Sequence, residues 1–79
     1  MTLGEYLQDQ RVISNLSQSE VAEQMGWGTP QFVSNIERDV SRPPLKCIKV
    51  YVDLIGAEPK VVTTLLLRYE RKKIEGAFL

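Results

Sequence analysis

The chain has 79 residues, room for one small domain, because domains begin at about 50 residues and most hold about 100 to 150. Hydrophobic residues make up 43% and charged residues 25%, too apolar for intrinsic disorder, and ten basic residues balance ten acidic ones. With no histidine and the single Cys47, a Cys/His zinc site, an intrachain disulfide and histidine-dependent nucleophilic catalysis are all excluded.

No enzyme activity, metal or cofactor is therefore expected. The longest apolar runs, such as Leu65-Leu66-Leu67, fall far short of the ~20 residues of a membrane helix. The amino terminus lacks the basic-then-apolar form of a signal peptide, so a cytoplasmic protein is expected. The charges are unevenly spread: residues 1–45 hold three basic and six acidic side chains, residues 46–79 seven basic and four acidic. Four of those seven, Arg68, Arg71, Lys72 and Lys73, lie close together near the carboxyl end.

Punctuation predicts five helices and no strand, an all-α domain. The first runs from about Leu3 to Ser14, with Leu3 and Leu7 one turn apart, Tyr6, Gln10 and Ile13 on an adjoining stripe, and Asn15 at its end. Ser17-Gln18-Ser19-Glu20 is a capping box, in which the serine hydroxyl and the glutamate each satisfy an orphan amide. It starts a second helix whose apolar face is Val21, Ala22 and Met25 and which Gly26-Trp27-Gly28 breaks. Thr29-Pro30 is another start signal, since threonine is a good N-cap and proline at the first helical position loses only an amide without a partner.

The third helix, about Pro30 to Arg38, places Phe32, Val33 and Ile36 on a core face and Gln31, Ser34, Asn35 and Arg38 on a polar one. Arg42-Pro43-Pro44 then forces extended backbone. A fourth helix carries Leu45, Ile48, Tyr51, Val52 and Ile55 every three or four residues until Gly56, with Cys47 off that stripe as a small structural residue. Pro59 opens the fifth, about residues 59–75, which carries Val61, Val62, Leu65, Leu66 and Tyr69 and ends near Gly76, leaving Ala77-Phe78-Leu79 as a tail.

Two short helices joined by a glycine-containing turn form a helix-turn-helix unit, here about residues 17–38. The run from Leu16 to Gly26, LSQSEVAEQMG, followed by Pro30 to Arg38, PQFVSNIER, resembles the XRE family, the Cro and lambda-repressor type of DNA-binding domain. The resemblance covers about Leu3 to Gly56. It implies a compact five-helix bundle that docks its third helix in the major groove of double-stranded DNA, with no small-molecule ligand.

The residues for that work follow from the match. Gln31 and Asn35 are the expected base readers, because an amide offers a donor and an acceptor together and pairs bidentately with adenine. Pro30 stands where the family often has Gln or Ser and presents an apolar surface to a thymine methyl. By the resemblance Gln18 is a phosphate contact at a helix start, Thr29, Ser34 and Arg38 are phosphate or base neighbours, and Arg42 is a backbone contact. Arg11 and Glu37 match a pair that the family uses as a structural salt bridge, and Asp39 stands where glycine is common. Trp27 is expected to fill a groove between the second and third helices or to meet a partner.

A single core of this size contributes only about 3–5 kcal/mol, so help from oligomerisation or from very regular helical packing is expected. Val62, Leu65, Leu66 and Tyr69 are the expected homodimer seam, with Val61 and Ile74 at its margins. The sequence reading is thus a homodimeric transcription regulator, a repressor or controller acting on a partly palindromic operator. The neutral net charge keeps open an alternative of another class, a protein-interaction module or antitoxin-like adaptor that uses the same fold without sequence-specific DNA binding.

Overall fold

The computed structural model describes residues 1–26, 28–41 and 44–78, so Arg42 and Trp27, with the roles expected of them, lie outside the described residues. Five helices follow one another: α1 (Leu3–Ile13), α2 (Gln18–Met25), α3 (Pro30–Glu37), α4 (Leu45–Ile55) and α5 (Pro59–Phe78). No strand occurs among the described residues. No helix is long and apolar enough to cross a membrane.

Local chemistry sets most of the boundaries. Ser17 caps α2 through the Glu20 amide while the Glu20 carboxylate accepts from the Ser17 amide, the full reciprocal box. A second box, Thr2 with Glu5, opens α1 and was not anticipated from the sequence. Thr29 caps α3 with Pro30 at its first position. Gly26 and Gly56 end α2 and α4 in the left-handed region, at φ 76° and 67°, where a Cβ is disfavoured. Asn15 follows α1 with φ 60°.

α1 packs on α3, α4 and α5, and α2 on α3 and α4. The shared core is Leu3 and Leu7 of α1, Val21, Ala22 and Met25 of α2, Val33 and Ile36 of α3, Ile48, Tyr51 and Ile55 of α4, and Val62 and Leu65 of α5. Burying each of the larger side chains stabilises the fold by about 1.5–3 kcal/mol before chain entropy is counted. Hydrogen bonds fasten α1 to the corner between α4 and α5: Ser14 Oγ donates to the Ile55 carbonyl, and the Glu58 amide to Tyr6 Oη.

Ile13 is 75% exposed, because the core face of α1 narrows to Leu3, Leu7 and Arg11. Two expectations need correcting. On α4 Cys47 is fully buried and Leu45 is 62% exposed, since residues two apart lie on opposite sides of a helix; the buried stripe is Cys47, Ile48, Tyr51 and Ile55. Gly76 does not stop α5, which continues to Phe78. A glycine ends a helix by turning left-handed, and Gly76 keeps a negative φ, at a cost of only about 1 kcal/mol relative to alanine.

Packing within the chain also bears on the expected dimer seam. Val62 and Leu65 belong to the core of the single chain, and Leu66 packs half-buried against it. The large apolar residues that α5 leaves exposed are Val61, Leu67, Ile74 and Phe78. Positions 67, 74 and 78 follow one another at i, i+7 and i+11, a single line on the side of α5 opposite its core face. From Arg71 to Phe78 every residue is exposed. At 20 residues, α5 is about 30 Å long and outruns the body it packs on, consistent with overall extents of 39 × 23 × 19 Å.

Candidate functional site

The reading face expected of α3 is held from behind by a buried polar node. Arg11 of α1 and Glu37, the last residue of α3, meet in a two-pronged pair, with Arg11 Nε donating to Glu37 Oε2 at 2.7 Å and Nη2 to Oε1 at 3.1 Å. Both are buried. Arg11 Nη1 also donates to the Leu16 carbonyl at 2.8 Å, which ties down the link between α1 and α2. Tyr51 of α4 donates its hydroxyl to Glu37 Oε2, and Gln18 of α2 donates Nε2 to Oε1 at 3.0 Å. One carboxylate therefore gathers donors from three helices.

The protonation states follow. Burial pushes the Glu37 carboxyl up, but the donors Arg11, Tyr51 and Gln18 outweigh it and hold it below the usual carboxylate range. The hydrogen bond to Glu37 raises Arg11 against the opposing effect of burial. Burial, then the Glu37 carboxylate, pushes the Tyr51 phenol well up, so it remains a donor. Removing Arg11 or Glu37 leaves the other as a buried charge without its ion-pair partner, at a cost of about 3–5 kcal/mol.

A second tie joins the end of α3 to the start of α1. Asp39 has φ 58°, a left-handed conformation in which Asn and Asp are enriched. There its Oδ1 accepts the Gly4 amide at 2.9 Å and its Oδ2 the Thr2 hydroxyl at 2.5 Å. The two backbones meet so closely that a Cβ on Gly4 would lie 2.4 Å from the Glu37 carbonyl oxygen and 2.7 Å from that of Ile36. Gly4 is needed for this approach. Asp39 thus acts as a cap on α1 contributed from a distant segment.

On the opposite side of α3, Gln31 and Arg38 are exposed and Ser34 and Asn35 half-buried. Gln31 Nε2 and Arg38 Nη2 each donate to Asn35 Oδ1 at 2.9 Å, so three side chains form one ordered polar row. The Asn35 Nδ2 donors and Gln31 Oε1 take no part in it. Thr29 Oγ1 accepts the Phe32 amide as the N-cap, and Pro30 lies exposed beside it.

The structure thus brings Gln31, Asn35 and Arg38 together and sets Thr29, Pro30 and Ser34 on the same short helix. It gives Gln18 an inward partner, Glu37, in place of a side chain presented only to solvent. Tyr51 fits the apolar stripe of α4 in the sequence, and its hydroxyl role carries no local signal. The reach of Asp39 to Thr2 and Gly4 carries none either. A glycine in the first turn of α1 was the one visible hint.

No family model, curated protein or solved structure matches this chain. The functional reading rests on its own residues.

Proposed function

We propose that the chain is a sequence-specific double-stranded DNA-binding transcription regulator that inserts α3 into the major groove. The observation that carries this reading is the Gln31–Asn35–Arg38 row, a linked set of amide and guanidinium groups on the outer face of a helix whose inner face is clamped by the Arg11–Glu37 node. The resemblance of α2 and α3 to the XRE helix-turn-helix supports it. An amide reads adenine with one donor and one acceptor. Because Asn35 Oδ1 already accepts twice, an incoming adenine edge displaces one of those internal donors, and the side chain is ordered beforehand at little entropic cost.

A homodimer on a partly palindromic operator completes the proposal, since pairing two heads raises affinity through effective concentration without new kinds of contact. Its seam is assigned to Leu67, Ile74 and Phe78, the exposed line on α5, in place of Val62 and Leu65. The same line also favours the second reading, an adaptor that docks another protein. Selection of bound duplexes from a random pool, followed by a gel shift in a salt series, tests the choice. Enrichment of a two-fold motif with steep salt dependence is the expected result; no enrichment, with capture of neither specific nor random duplex, overturns the regulator.

A further inference from the structure

Of the ten basic residues, Arg11 is consumed by Glu37 and Arg38 belongs to the α3 row. A DNA-binding protein of zero net charge needs other cations to meet phosphate. Four of the remainder border one groove of about 750 Å³ between the start of α1 and the middle of α5. Its walls include Thr2 and Asp39 on one side and Arg68, Lys72 and Lys73 on the other, over a floor that includes Leu3 and Leu65.

Two acidic groups, Asp39 and Glu75, line the groove against the four basic ones. Both Asp39 oxygens accept hydrogen bonds, from Thr2 and Gly4. Glu75 pairs with Arg71 at 2.7 Å. Lys73 lies over the Tyr69 ring, 5.0 Å from its centre, with its charge still presented. Arg68 and Lys72 are exposed and stand one helical turn apart, about 5–6 Å between Cβ atoms, a spacing suited to successive phosphates of one strand. The position matters as much as the charge. Asp39 directly follows Arg38, the C-cap of α3, and lines the groove, so the groove opens beside the carboxyl end of the proposed reading helix.

We infer that the groove between α1 and α5 is a phosphate-backbone clamp in which Arg68 and Lys72 grip the DNA strand flanking the site read by α3. This rests on the DNA-binding reading and adds to it a surface outside the helix-turn-helix. Such contacts carry affinity and salt dependence, and base selectivity stays with α3.

The test is fluorescence anisotropy on a mixed-sequence duplex of about 30 base pairs across a salt series, which needs no knowledge of the operator because phosphate contacts dominate nonspecific binding. The Arg68→Gln/Lys72→Gln protein is compared with wild type and with a charge-matched Lys49→Gln/Lys60→Gln control, folding being checked by circular dichroism. The expected result is a salt slope shallower by about 2 and affinity at least tenfold lower at about 0.1 M salt for the groove variant, with base selectivity on a selected duplex unchanged. A groove variant with the wild-type slope, or a control that loses as much, overturns the clamp and leaves the DNA reading standing. Wild-type protein that binds no duplex overturns both. Binding of polyglutamate, but not duplex, that is lost in the groove variant makes the groove a dock for acidic polypeptides and likewise overturns the clamp.

Discussion

The two faces of α3 use the same kinds of polar group for opposite ends. On the inner face Glu37 is buried and accepts from Arg11, Tyr51 and Gln18; on the outer face Asn35 accepts from Gln31 and Arg38 at the surface. A polar group without its partner is expensive in the first setting and cheap in the second, where water replaces it. The inner row fixes where the helix lies. The outer row is free to exchange partners, as the proposed reading surface requires.

The largest effect should come from Glu37→Ala, which strands a buried guanidinium and the Tyr51 hydroxyl and is expected to cost about 3–5 kcal/mol in denaturant unfolding. A loss below about 1 kcal/mol would mean that the node is not a structural clamp. Acid should reach the same group more gently. Because the folded carboxyl titrates below its ordinary value of 4.5, its stabilisation is complete above that pH and is lost as pH falls through the folded value. The Glu37→Gln protein should show a weaker acid dependence of melting.

Gly4→Ala ranks next. Its Cβ would meet the Glu37 and Ile36 carbonyl oxygens, and an expected loss of about 1–3 kcal/mol would measure how tightly α1 holds the end of α3. On the outer face, Gln31→Ala and Asn35→Ala should each cost about 1–3 kcal/mol of discrimination between duplexes, with unfolding changed by no more than about 0.5 kcal/mol. A folded double variant with intact selectivity would remove α3 as the reader. Ile74→Glu should alter stability least, and sedimentation should show it monomeric where wild type is dimeric. An unchanged association state would move the seam off the outer line of α5.

The elements with short-range signals were legible from sequence. Ser17 with Glu20, Thr29 with Pro30, and Gly26 and Gly56 each act within a few residues, so their pattern survives without knowledge of the fold. Arg11 with Glu37 was visible only through the resemblance. What stayed hidden depends on partners distant in the chain: the Tyr51 hydroxyl, the inward turn of Gln18 and the reach of Asp39 to Thr2 and Gly4. Rotation about a helix axis was the other difficulty, since Ile48, Tyr51 and Ile55 fit a stripe begun at Leu45 or at Cys47, although these two lie on opposite sides of α4. On α5 the apolar residues numerous enough to suggest a seam were divided by packing between an inner face, Val62 and Leu65, and an outer one, Leu67 and Ile74.

The cap that Asp39 places on α1 has a kinetic side. A helix start is ordinarily secured by its own neighbours, as Thr2 and Glu5 do here. Asp39 adds a partner that arrives only after some 35 residues of chain have closed on themselves, a step with its own entropic toll. A contact absent from the folding transition state holds the native state against opening without changing how fast it forms. Asp39→Ala should accordingly leave the folding rate nearly unchanged and accelerate unfolding, so that the carboxylate sets how long a folded molecule lasts.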